Sequence, residues 1–144
     1  LLVLMGDLVN SRGLRDRGLY KELLDGVIRR INREHAGLLV ARVRIVRGVD
    51  ELGCAVASTR AAVGIVRAIS ASVLPERYRF GLARGAVDVR PNCGDVTQMD
   101  GPAFHLASDA LDRARANRTL IEVGGSVVIT AELRRILDLQ GEGE

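Results

Sequence analysis

Leu1-Leu2-Val3-Leu4-Met5-Gly6-Asp7 opens the chain with an unbroken apolar run that stops on a glycine and a carboxylate. A short apolar run bounded by a loop signal reads as a central, buried strand, here followed by a loop through Ser11-Arg12-Gly13. From Arg17 to His35 the apolar residues fall at Leu19, Leu23, Leu24, Val27, Ile28 and Ile31, the one-face spacing of an amphipathic helix. Leu38 to Arg47 alternates as a half-exposed strand does, and Gly48-Val49-Asp50-Glu51 reads as a tight turn. Leu52 to Ala57 then returns as the second arm of a hairpin. Thr59 is placed to cap a helix with the stripe Ala62, Ile65, Val66 and Ile69, ending before Pro75.

Tyr78 to Val89 alternates again, with Gly81 and Gly85 marking a bulge or the close approach of another backbone. Pro102 suits the start of a helix to about Asn117, with Phe104, Ala107, Leu111 and Ala114 on one face. Short strands are expected near Leu120 to Val123 and Val127 to Ile129, then a helix from Thr130 to Leu139 and a loose tail over 140–144. This order predicts an α+β fold, a ferredoxin-like βαββαβ arrangement with an antiparallel sheet and a C-terminal strand and helix addition. It forms a single domain over residues 1–139. A right-handed crossover makes the first two strands parallel but separated, with the returning hairpin arm between them and antiparallel to both. Asp7 then lies beside Asp50 and Glu51.

Composition narrows the function classes. At 144 residues, 47% hydrophobic and 27% charged, the chain is long enough to bury a core without disulfides or metal. Aromatics are 3% of residues, too few for base-stacking platforms. The net charge is +3, but the arginines are interleaved with acids along the chain instead of clustered, so a nucleic-acid face is not indicated. Cys54 and Cys93 lack metal-ligand spacing, and a reducing, cytoplasmic location is expected. Arg60 and Arg67 interrupt the other long apolar stretch, so no membrane anchor is expected.

Carboxylates gathered at one sheet end repel one another, by about 4 kcal/mol for two charges roughly 4 Å apart at an effective dielectric near 20. A cation, an arginine, or protonation of one acid would relieve the repulsion. Mg²⁺ or Mn²⁺ held by the acids against a polyphosphate is one reading, since such ions take hard oxygen ligands. The plain reading is that Asp7, Asp50 and Glu51 are turn residues serving local hydrogen bonds. Asn10, Ser11 and Arg12 offer amides and a guanidinium to phosphates, or form an ordinary polar loop. His105 sits at a helix start as a capping or partly buried histidine, and the helix dipole accounts for His35. The chain has no Walker, Gly-x-Gly-x-x-Gly or Gly-x-Ser-x-Gly element.

Taken together, Val3 to Arg12, Gly48-Val49-Asp50-Glu51, Arg79 to Gly85, and Asp100-Gly101-Pro102-Ala103-Phe104-His105 resemble the SatD family. More distantly, that family is similar to the palm of class III nucleotide cyclases and GGDEF diguanylate cyclases. The resemblance implies a nucleoside polyphosphate and Mg²⁺ or Mn²⁺ at Asp7 and Asp50, with Glu51 a supporting acid and Arg12 or Arg84 on phosphates. It also implies a site completed between subunits, hence an isologous homodimer. Val49 stands where a glycine usually precedes the Asp-Glu pair, and Ser108 and Asp109 occupy a helix turn where an arginine is expected. No helix-turn-helix segment follows Leu139, so direct DNA binding is not expected. These departures favour the alternative, a non-enzymatic regulatory or protein-interaction domain.

Overall fold

A computed structural model describes residues 1–10, 13–48 and 50–142. Ser11 and Arg12, both expected at phosphates, and Val49, expected in the tight turn, lie outside the described residues, as do Gly143 and Glu144. The strands are β1 (Leu2–Leu8), β2 (Leu39–Arg47), β3 (Glu51–Val56), β4 (Tyr78–Arg84) and β5 (Ile121–Gly125). The helices are α1 (Arg17–Glu34), α2 (Thr59–Ser72), α3 (Pro102–Asn117) and α4 (Ala131–Glu142). The opening strand therefore continues past Gly6 and carries Asp7 inside it. Leu8 remains buried, so the apolar alternation extends beyond the glycine.

The strand order is β2-β3-β1-β4-β5, with β3 antiparallel to both β1 and β2, and β1 antiparallel to β4. β1 and β2 are thus parallel and separated by the returning hairpin arm, as the order of elements predicts. The sheet is mixed, not antiparallel throughout, because α3 crosses over between β4 and β5 and leaves those two strands parallel. Val127 to Ile129 forms no strand.

Local chemistry sets the helix ends. Asp16 caps α1 by accepting from the Leu19 amide at 2.9 Å. Ser58, one residue before the expected Thr59, caps α2 by accepting from the Ala61 amide at 3.0 Å. α1 buries Tyr20, Leu24, Val27 and Ile31, while Leu19 and Leu23 of the expected stripe are exposed. α4 runs on through Gln140, which is packed and is not the start of a loose tail. Its side-chain Oε1 accepts from the amides of Leu120 and Ile121 at 2.9 and 3.1 Å, and its Nε2 donates to Ile121 O at 2.8 Å. It thereby satisfies backbone groups at the start of edge strand β5.

The two faces of the sheet are packed differently. Leu4, Leu52, Cys54, Phe80 and Leu82 meet Leu24 and Ile31 of α1, Ile65 and Ile69 of α2, and Leu133 of α4. On the other face Val3 and Ala83 meet Ala103 and Ala107 of α3, while Val96 and Met99 cover Ala41 and Ala55. α3 lies close to β4 because Gly81 has no side chain. A Cβ there would stand 2.3 Å from Ala107 O and 2.5 Å from Leu111 N. Among the described residues no helix is long and apolar enough to cross a membrane.

Candidate functional site

The strand order brings the acids to one end of the sheet. Asp7 pairs in register with Glu51 of β3 on one side and Arg79 of β4 on the other. The Leu8 amide donates to Asp50 O at 2.9 Å, and the Val9 amide to Arg77 O at 2.8 Å. Directly opposed residues on neighbouring strands share a face, so Asp7, Glu51 and Arg79 form a row on the side covered by α3. Asp50 lies at the hairpin tip, its Oδ1 3.1 Å from where a Cβ on Gly48 would stand. Gly48 has φ 58, a left-handed conformation that glycine adopts without cost.

Arginine neutralises this row. Arg115, in the last turn of α3, donates its Nε to Asp7 Oδ2 at 2.8 Å and its Nη1 to Asp112 Oδ1 at 2.6 Å. Partial burial opposes the charge on Arg115, but Asp7 and then Asp112 outweigh it and raise its pKa. Arg47 Nε lies 3.8 Å from Glu51 Oε2. Of the ways to relieve repulsion among the acids, an arginine serves Asp7 and another approaches Glu51. Among the described residues no three His, Cys, Asp or Glu side chains gather into a metal-type group.

Beneath this end of the sheet the hydroxyls of Tyr20 and Tyr78 share a buried hydrogen bond of 2.8 Å. Burial raises both pKa values, and the charge of Asp50 adds to the rise in each, that of Asp7 to Tyr78 alone. The field of the acids therefore reaches into the core, where both phenols stay protonated.

The sequence pattern of the SatD family matches residues 1–130 of the chain. The chain belongs to the SatD family. No curated protein matches it. In this SatD-family chain the remaining candidate residues are dispersed. Arg84 pairs in register with Leu2, at the end of the sheet opposite Asp7, and its Nε is buried without a hydrogen-bond partner. It is not brought near the acids. His105 and Asp100 are also remote from them, both exposed at the start of α3 with Nε2 and Oδ1 3.8 Å apart. Asp100 Oδ1 accepts from the Gly101 amide at 2.7 Å, a local turn bond. Asn10 follows β1 with φ 59, and its carbonyl accepts from the Gly13 amide at 2.9 Å.

Sequence reasoning missed Arg115, Arg79 and Arg47. Arg79 had a signal, because once β4 pairs with β1 its position two residues before Gly81 fixes it opposite Asp7. Arg115 had none of its own. It falls next to the buried Ala114 on α3, and its reach to Asp7 follows from the close seating of that helix on Gly81.

Proposed function

We propose that this chain is a ferredoxin-like palm, similar to that of nucleotide cyclases, which binds a nucleoside polyphosphate at the Asp7 end of its sheet without turning it over. Asp7, Asp50 and Glu51 supply the hard oxygens that Mg²⁺ or Mn²⁺ takes. When bound, such an ion screens the charge of the polyphosphate oxygens. The observation that carries the reading is the register that sets Asp7 opposite Glu51 with the Asp50 backbone bonded to Leu8. A cation at Asp7 competes with the Arg115 guanidinium, so metal affinity is weak in the absence of nucleotide.

Ring closure on a triphosphate builds charge on the transferring group and calls for a fixed donor. The middle of α3 offers exposed Ser108 and Asp109, and loss of such a donor costs about 10² to 10³ in rate.

The second reading, a non-enzymatic regulatory or interaction domain, is favoured by the Arg115 contact, which satisfies Asp7 with no metal. Titration calorimetry with Mn²⁺ and a panel of nucleoside triphosphates separates the two. Metal-dependent binding lost in Asp7→Asn and Asp50→Asn, without cyclic mono- or dinucleotide product, is the expected result. Binding that ignores both substitutions, or no binding at all, favours the second reading. Product that disappears in both variants makes the chain an enzyme. An isologous homodimer is part of the proposal, and sedimentation as a monomer at high micromolar concentration would count against it.

A further inference from the structure

A pocket of about 340 Å³ opens where β1 ends and β4 begins, between the C-terminal part of α2 and the residues leading into β5. Its walls are Val9, Leu74, Tyr78 and Leu120, and its charged rim is Arg77, Arg79 and Arg118. Arg79 is held by a bond from its Nη1 to Thr119 O at 3.0 Å. Among the described residues, none of the three arginines is within ion-pair distance of a carboxylate, and Glu76 is the one acid in the lining. Burial and then the like charges of Arg118 and Arg77 push the pKa of Arg79 down. The arrangement therefore carries electrostatic repulsion that the protein's own acids leave in place.

A second observation points the same way. Ser70 lines this pocket, and its Oγ is buried without a hydrogen-bond partner. A buried hydroxyl left unpaired is destabilising, and a ligand oxygen that bonds to it would offset that. The volume falls within the range of small-molecule sites, which pair apolar walls with a few polar groups that fix orientation.

We propose that this pocket binds a small organic phosphate, its apolar body against Val9, Leu74 and Leu120 and its phosphate among Arg77, Arg79 and Arg118, with Ser70 Oγ as an additional partner. The site needs no metal and does not rest on the nucleotide reading of the carboxylates, although Arg79 stands in both, opposite Asp7 in the sheet and on the rim of the pocket. A dianion suits a rim of several guanidiniums better than a carboxylate does, since phosphate offers more acceptor oxygens to guanidinium forks.

Phenyl phosphate is the test probe, with inorganic phosphate and phenol as its two halves, added to the isotope-labelled chain in EDTA. Phenyl phosphate should move the amide signals of residues 70, 74, 77–79, 118 and 120 with a Kd of about 1 mM. Each half alone should bind at least about tenfold more weakly. Arg77→Ala and Arg118→Asn should each weaken binding about tenfold, asparagine being chosen because Arg118 has φ 55, which it tolerates. Ser70→Ala should weaken binding severalfold while leaving the thermal midpoint of the free chain unchanged or higher, which a purely structural hydroxyl would not do. Equal shifts with phenol and phenyl phosphate would reduce the site to an apolar cleft and overturn the proposal. So would shifts scattered over surface arginines that persist in folded Arg77→Ala.

Discussion

The two faces of the sheet solve the burial problem in opposite ways. Branched aliphatic side chains fill a deep layer under α1, α2 and α4, whereas alanines and glycines let α3 sit almost on the strands. The deep layer is sensitive to lost volume and the shallow one to added volume. The charged row of Asp7, Glu51 and Arg79 belongs to the shallow face. There the helix is close enough for Arg115 to reach a strand carboxylate.

The largest contrast expected between the faces is chemical. Cys54 is buried in the deep layer, and burial pushes its thiol up to about 12, while Cys93 is exposed in the loop before α3. At pH 8 only about one Cys54 in 10⁴ is thiolate, the form that reacts. A disulfide reagent should therefore modify Cys93 rapidly and Cys54 at least about a thousandfold more slowly, until denaturant opens the core. Comparable rates at both would mean that the deep layer opens easily.

Paired substitutions sharpen the comparison. Ile65→Ala removes a fully buried side chain from the deep layer and should cost about 3 to 4 kcal/mol of stability in chemical unfolding. Gly81→Ala adds one methyl to the shallow face, where it meets backbone instead of a movable side chain. It should cost about 2 kcal/mol even though alanine loses less entropy than glycine on folding. A neutral or stabilising Gly81→Ala would show that α3 is free to lift, and the reach of Arg115 to Asp7 would then lose its structural basis.

This difference also explains what was legible in the sequence. The apolar run at Leu2 to Leu4, the stripe of α2 and the turn at Gly48 gave the strand order, and through it the meeting of Asp7 with Glu51. Those signals are periodicity and turn chemistry, both local. The Arg115 contact depends on how far a helix stands from a sheet, which periodicity does not encode, and Leu19 and Leu23 matched the helical spacing yet stayed exposed. Arg84 lies in the same short motif as Gly81, but strand direction carries it to the end of the sheet opposite Asp7, which spacing within the motif does not reveal. Gln140 looked like tail because its role is a side-chain bond to another strand's backbone.

Replacing Arg115 by Gln should have a smaller effect on stability, about 0.5 kcal/mol, since the pair is partly exposed and screened by salt. Its value is in the site. With Asp7 released from the guanidinium, Mn²⁺ should bind more tightly to the free chain, as paramagnetic broadening of the amide signals around Asp7 would report. No change in metal affinity would mean that Arg115 does not guard this carboxylate, and metal competition would drop out of the functional proposal.

The smallest expected effect concerns the loop that closes the shallow face over β2 and β3. Asp95 accepts from the Thr97 hydroxyl at 2.6 Å and the Thr97 amide at 3.0 Å, and pairs with Arg44 and, at 3.9 Å, Arg42 of β2. The Thr97 hydroxyl, the largest influence, together with the Thr97 amide and the two arginines holds its carboxyl below the usual range, against an opposing effect of burial that only the hydroxyl exceeds singly. A carboxyl whose pKa is lower folded than unfolded stabilises the fold fully above its unfolded value of about 4, and that contribution fades as the pH falls through the folded value. Asp95→Asn should therefore lower the thermal midpoint slightly at pH 7, with the gap closing below about pH 4 as the wild-type carboxyl takes up its proton. High salt should shrink only the part due to Arg42 and Arg44, because the Thr97 bonds do not depend on a second charge. A midpoint difference that stays constant from pH 7 to pH 3 would assign Asp95 a capping role that asparagine fills poorly at any pH, and the arginines of β2 would then hold the loop without its charge.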